Sequence, residues 1–203
     1  MTKLKILAAG DFHSDSGLAK RLAEKAEHEN VDLVVITGDI THQEISTKDL
    51  IGPFVLKNKK VALIPGNHES FATADFLCQL YGATNLHGYS LMMGNIGLFG
   101  CGGANCGLNK LSEEEIYDTL KRAYQGVKDA KTKIMITHVH PSGTIMEKFS
   151  RYVEGSPGVR KAVQALKPDI LLCSHVHEAE GIEETIGKTK VINVGKKGKI
   201  LEL

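Results

Sequence analysis

The sequence predicts an α/β fold on three observations. Short apolar strands alternate with amphipathic helical stretches along the first third of the chain. Each strand runs directly into a polar loop. The same strand–loop pattern returns after residue 130. Such alternation predicts a parallel or mixed sheet covered by helices, with ligands bound beyond the carboxyl ends of the strands. The chain has 203 residues, enough to bury a large core, and residues 1–203 read as one domain.

Lys3–Ala9 is an apolar run that stops at Gly10-Asp11 and reads as a buried strand. Ser16–Asn30 places Leu18, Leu22 and Ala26 on one helical face. Asp32–Thr37 is rich in β-branched residues and ends at Gly38-Asp39. Residues 47–58 read as a helix with a late start or break at Gly52-Pro53. Val61–Ile64 is a third strand, ending at Pro65-Gly66-Asn67-His68. Phe71–Tyr81 reads as a helix and residues 84–101 as short strands, Ile96–Phe99 among them. Gly94–Gly107 holds six glycines and reads as an irregular loop of sharp turns, or as a lip over a site with Asn105 as its polar contact. Leu111–Val127 is a helix with Ser112 as N-cap and Glu115 completing a capping box. Lys133–Thr137 is a strand ending at His138. Pro157–Leu166 is a helix capped by Ser156, and Ile170–Cys173 is a strand ending at Ser174-His175-Val176-His177. Short strands near 181–186, 190–194 and 199–203 complete the pattern.

Composition narrows the function. A formal net charge of +1 lacks the basic footprint of a dedicated nucleic-acid-binding surface. Aromatic residues make up 5% and Trp is absent, which argues against base-stacking platforms. Apolar runs of about four residues fall far short of the about 20 a membrane-spanning helix requires. The apolar stretch at the N-terminus is too short for a signal peptide. A cytoplasmic location is therefore expected, with Cys78, Cys101, Cys106 and Cys173 as free thiols. They form no CxxC pair, so no thiol-based zinc site is read.

The chemistry lies in the strand-end loops. Asp11 and His13 follow the first strand, Asp39 the second, Asn67 and His68 the third, His138 a later one, and His175 and His177 another. In a parallel sheet these ends share one edge, so the groups converge. Two carboxylates, one amide oxygen and four imidazoles make seven donors, with His68 left over. One metal rarely accepts seven such donors, whereas two metals sharing a carboxylate do. Mixed carboxylate and imidazole donors suit manganese, iron or zinc better than calcium. Two ions about 3.5–4 Å apart clamp the attacking and leaving oxygens of a phosphoryl displacement.

Asp11-Phe12-His13, Gly38-Asp39, Gly66-Asn67-His68-Glu69, Thr137-His138 and Ser174-His175-Val176-His177 resemble, in order, the DxH, GD, GNH(D/E), H and GHxH blocks of the calcineurin-like metallophosphoesterase superfamily. The tail, with Gly155-Ser156 and Arg160 upstream, is similar to the small prokaryotic subgroup related to cyclic-nucleotide phosphodiesterases. The resemblance implies a four-layer αββα sandwich of the metallo-dependent phosphatase type. It implies Asp11, His13 and His177 on a first metal, Asn67, His138 and His175 on a second, and Asp39 bridging. His68 is implied as general acid, or as a donor to the phosphate in the transition state. The implied cofactor is two divalent metal ions, manganese ahead of iron, zinc or nickel. The implied activity is hydrolysis of a small phosphoester by attack of a metal-bridging hydroxide, diester ahead of monoester. The alternative is a catalytically weak scaffold or binding module, as some family members are. Ser174 departs from the family glycine. If the position needs positive φ, serine strains the loop and shifts His175.

Other residues draw more ordinary expectations. His140 and His42 read as local or outer-shell groups, His42 with a substrate-facing option. His28 and His87 read as surface or helix-end residues. Glu69 either orients a neighbour from behind or starts a helix. Arg151, Ser156 and Arg160 could bind an anion or lie on a solvated surface. Lys196, Lys197 and Lys199 read as a solvated edge strand.

Overall fold

The computed structural model describes residues 3–150 and 152–203. In chain order the elements are β1 (Lys5–Ala9), α1 (Ser16–His28), β2 (Leu33–Ile36), α2 (Gly52–Leu56), β3 (Lys60–Leu63), α3 (Phe71–Tyr81), β4 (Thr84–Asn85), β5 (Ser90–Met93), β6 (Ile96–Cys101), α4 (Glu113–Tyr124), β7 (Thr132–Thr137), α5 (Pro157–Leu166), β8 (Ile170–Cys173), β9 (Glu183–Ile186), β10 (Thr189–Asn193) and β11 (Lys199–Glu202). They build two sheets, β11-β1-β2-β3-β4 and β5-β6-β7-β8-β10-β9. β1 to β4 are parallel, with β11 antiparallel at one edge. β6, β7, β8 and β10 are parallel, flanked by antiparallel β5 and β9.

Alternation along each strand explains the layers. Ile6, Ala8, Leu33, Val35 and Ala62 face Leu98, Ile134, Ile136, Leu172 and Ile192 across the space between the sheets. The intervening Leu7, Ala9, Val34, Ile36 and Leu63 face outward onto Leu22 of α1, Phe54 of α2 and Leu77 of α3. On the second sheet Phe99, Met135, Leu171 and Val191 pack under Ile116 and Leu120 of α4 and Val159 and Val163 of α5. Both faces of every central strand are therefore apolar, which is why the strands read as unbroken apolar runs. The result is the four-layer αββα sandwich. Each fully buried Leu or Ile contributes about 1.5–3 kcal/mol of transfer free energy.

Two expectations about elements are sharpened. Of residues 47–58 only α2 is helical, with the late start expected at Gly52-Pro53, because Pro53 can occupy only the first turn of a helix. The strand read at Ile96–Phe99 is β6, which continues to Cys101, so the loop reading of Gly94–Gly107 does not hold across those residues. A side chain at Gly97 would collide with Val127 and Ala130, and one at Gly100 with the Ile136 carbonyl. There the glycines allow close packing against the neighbouring segments, not turns. The capping box at Ser112 and Glu115 and the Ser156 cap form as the sequence predicts.

Candidate metal centre

The parallel strands deliver their polar loops to one end of the sandwich, and the described side chains meet there in three groups that could hold a cation. Asp11, His13 and His177 form one, Asp39, His138 and His175 a second, and His13, His42 and His68 a third, sharing His13 with the first. In the first, His13 Nε2 lies 3.0 Å from His177 Nε2, and His177 Nε2 lies 3.9 Å from Asp11 Oδ1. In the second, His138 Nε2 lies 3.1 Å from His175 Nδ1, 2.9 Å from Asn67 Oδ1 and 3.3 Å from Asp39 Oδ2.

Asp39 joins the groups. Its Oδ1 accepts backbone N–H bonds from Asn67 (2.8 Å) and His68 (3.1 Å). Its Oδ2 is left facing His138 at 3.3 Å, His13 at 3.7 Å and His68 at 3.9 Å. One oxygen is thus fastened to the β3 loop while the other points at imidazoles from both groups. A side chain on Gly66 would fall onto Asp39 Oδ1, so the close approach of the two loops requires glycine there.

The loops are bent hard. Asp11, His13, Asp39 and His175 all hold positive φ, at 56°, 48°, 51° and 72°. Non-glycine residues adopt this region at a cost, with Asp and His among the better tolerated, and such strain concentrates at functional sites. Position 174 does not carry it; the left-handed residue is His175. The serine that replaces the family glycine is therefore under no φ strain.

Glu69 ties the scaffold together. Its buried carboxylate accepts from Gly66 N (2.7 Å), Thr41 N (3.1 Å) and Ile40 N (3.2 Å), binding the Asp39 loop to the Asn67 loop from behind. Burial and the nearby Asp39 charge raise its pKa to about 7. This is the orienting role, with the helix start left to Ser70, the cap of α3.

The electrostatics are those of a cation site. Burial pushes the Asp39 carboxyl up, but His138, His68 and His13 outweigh it and hold the group ionised. Asp11 is raised, first by burial and then by Asp39. Burial alone would lower His138, yet Asp39 and Asp11 lift it to about 9. Burial lowers His175 to about 3 and His13 to about 4. One imidazolium, His138, thus lies among two buried carboxyl groups while His13 and His175 stay neutral. Asp11 Oδ2 is buried with no hydrogen-bond partner. A divalent ion held by Asp11, His13 and His177, and another by Asp39, His138 and His175, would satisfy these atoms. Metal–nitrogen distances of about 2.0–2.1 Å imply donor–donor edges of about 2.9–3.4 Å, the range of the close ring–ring and ring–amide separations here. The residues present fit two such ions.

The surroundings correct several smaller expectations. His42 stands exposed at the mouth, its ring centroid 5.0 Å from His68 and 5.7 Å from His13. His140 is buried beside the centre with neither ring nitrogen paired. His87 is not a surface residue: it is half-buried, accepts from Gly102 N at 3.0 Å and packs on Phe71. Asn105 has no side-chain hydrogen bond to the centre among the described residues. The glycine-rich segment reaches the centre instead through Leu108 N, which donates to the Asn67 carbonyl at 3.0 Å, and through Cys106, whose Sγ is 4.0 Å from His175 Nε2. Neither option read at Ser156, an anion site or a solvated surface, is found: the residue is buried and the Glu113 carboxylate accepts from Ser156 Oγ and Gly158 N at the start of α5. Arg160 turns away to the Ser142 carbonyl at 3.3 Å, and Arg151 lies outside the described residues. Lys196 and Lys197 sit in a turn before β11, where Glu180 accepts from both backbone N–H groups. No helix among the described residues is long and apolar enough to cross a membrane.

Fold and site together define a two-sheet α/β sandwich with a His/Asp cluster able to hold cations at its carboxyl edge. The chain belongs to the calcineurin-like phosphoesterase family, whose profile matches residues 4–179, and so to the metal-dependent phosphoesterases. No curated protein matches it in sequence. Among solved structures, the protein TT1561 of Thermus thermophilus superposes with a TM-score of 0.76 over 99% of both chains at 17% identity. A dimetal phosphatase from Danio rerio gives 0.65 over 95% of this chain and 87% of its own at 11% identity. An archaeal protein described as a novel phosphodiesterase gives 0.57 over 98% of this chain and 100% of its own at 16% identity. At these identities the likeness is one of fold.

Proposed function

We propose that this protein hydrolyses small phosphoesters, diesters ahead of monoesters, at a centre of two divalent ions, manganese ahead of iron, zinc or nickel. Asp11, His13 and His177 hold one ion, Asn67, His138 and His175 the other, and Asp39 is shared. When bound, the ions supply Lewis-acid stabilisation of the phosphoryl oxygens and a water activated near neutral pH. The observation that carries this reading is Asp39, one oxygen pinned by backbone and the other facing imidazoles of both groups. The remaining work falls to the chain. The Asp39 loop and the Asn67 loop, joined through Glu69, hold the donors in place. His68 stands at the open side beside His42, where it can give a proton to the departing oxygen. His177 and His68 are 46% and 23% exposed, so the mouth is open to solvent, which accords with a small diester or an unselective site. The four free cysteines accord with a reducing, cytoplasmic setting.

The test is an assay of metal-stripped protein, reloaded with each ion in turn, on aryl phosphodiesters, aryl monoesters and a cyclic nucleotide. Metal-dependent turnover, fastest on a diester, is expected with two ions per chain. Two tightly held ions and no turnover on any of these would establish a binding module instead.

Metal uptake should also depend on pH. Below about 9 His138 of the metal-free protein carries a proton that a cation must displace. Affinity is therefore expected to rise by up to about tenfold per pH unit between pH 6.5 and 8.5, with one proton released per chain from this residue. Calorimetric titrations in buffers of different ionisation enthalpy count that proton, and a flat affinity over the range would contradict the assignment of His138.

A further inference from the structure

Beneath the centre lies a hydrogen-bonded clasp that the family pattern does not supply. Ser174 follows β8 of the six-stranded sheet, and Thr37 follows β2 of the five-stranded sheet; both are fully buried. Ser174 Oγ donates to the Thr37 carbonyl at 3.0 Å and accepts from Thr37 Oγ1 at 3.1 Å. His138, which follows β7, aims Nδ1 at this pair, 2.9 Å from the Thr37 carbonyl and 3.1 Å from Ser174 Oγ. An acceptor carbonyl at that distance requires Nδ1 to carry a proton. The ring then turns Nε2 toward Asn67 Oδ1, Asp39 Oδ2 and His175 Nδ1.

We propose that Ser174, acting with Thr37, is a positioning residue for the second cation site. The inference rests on the reading of His138 as a ligand. The Thr37 carbonyl alone is one acceptor, which constrains the tilt of the imidazole about its Cβ–Cγ bond less than two acceptors do. The serine hydroxyl is a second acceptor beside the first and is itself held by Thr37. Two acceptors fix both tautomer and plane, and they do so across the sandwich, because Thr37 belongs to the sheet that carries Asp39 and Asn67. The hydroxyl thus sets the spacing between donors contributed by different sheets. The first site draws on Asp11, His13 and His177, none of which bonds to Ser174 Oγ.

The experiment titrates metal-stripped protein with Mn²⁺, resolving the two binding steps, for wild type, Ser174→Ala, Ser174→Gly and Thr37→Ser. Partners that orient a metal-binding histidine typically matter by about 10–100-fold in affinity. Both Ser174 variants should therefore weaken the second step at least about tenfold and leave the first within about twofold, while Thr37→Ser, which keeps hydroxyl and carbonyl, retains both. In zinc-loaded protein the His138 Nδ1 proton should exchange with solvent faster in the variants. Position 174 needs no side chain for its backbone angles, so the glycine variant provides a folded comparison if alanine does not fold. Two ions in wild type with an unchanged second step in either variant overturns the positioning role alone. Failure of wild type to take up a second ion overturns the proposed function with it.

Discussion

Asp39→Ala is expected to remove metal-dependent phosphodiester hydrolysis, by at least about a thousandfold in kcat/KM. Asp39 Oδ2 is the oxygen that faces both donor groups. Without it neither cation keeps its full set of donors, and two positive ions lose the carboxylate that offsets their repulsion. Metal stabilisation of transition-state charge is worth several kcal/mol, and each factor of ten in rate corresponds to about 1.4 kcal/mol, so three powers of ten are the modest expectation. The alanine variant also frees two backbone N–H groups, those of Asn67 and His68, from their acceptor. Asp39→Asn separates these effects. Its amide oxygen can still accept both bonds, so the loops stay joined, but the negative charge is gone. The asparagine variant is therefore expected to fold with a thermal midpoint close to wild type, hold fewer than two ions by elemental analysis, and be as inactive as the alanine variant. Near-normal turnover by either would remove Asp39 from the bridging position.

What could be read from the sequence follows what the physics makes local. Strands buried on both faces announce themselves as apolar runs, and residues placed one to three positions beyond their ends must share an edge if the strands are parallel. Asp11, Asp39, Asn67 and His138 could therefore be gathered on paper from separate segments. Helix caps are equally local: Ser112 with Glu115, and Ser156 with Pro157, involve neighbours within four residues. Contacts between distant segments left no such trace. That Glu113 would fill the start of α5 depends on how α4 packs against α5, and nothing around Ser156 indicates it. The strand at Ile96–Phe99 is legible, but its extension through Gly100 to Cys101 is not, because glycine signals a turn as readily as a close approach. Ser174 marked a departure from a pattern, but only its distances to Thr37 and His138 reveal a clasp between sheets. His42 likewise gained meaning only once its ring lay against His68.

That last contact bears on the second large effect. His68→Ala is expected to lower kcat for an alkyl phosphodiester by about 10²–10⁴-fold, the usual contribution of a positioned proton donor, while both ions stay bound. His68 shares a metal-capable group with His13 and His42 but none with a carboxylate, and its Nε2 is 3.9 Å from Asp39 Oδ2, the most distant of the three imidazoles facing that oxygen. Its Nδ1 is buried without a partner, so removal strands no other group. The leaving group distinguishes proton donation from phosphate binding. An aryl oxide departs without protonation, whereas an alkoxide needs the proton. If His68 supplies it, the variant should lose far more activity on the alkyl diester than on a nitrophenyl diester. Equal losses on both would mean that His68 stabilises the phosphoryl oxygens in the transition state, and loss of an ion would make it a ligand. His42→Ala provides the neighbouring control. Its ring covers His68 from the solvent side but is farther from Asp39, so it should perturb KM more than kcat if it only shapes the mouth.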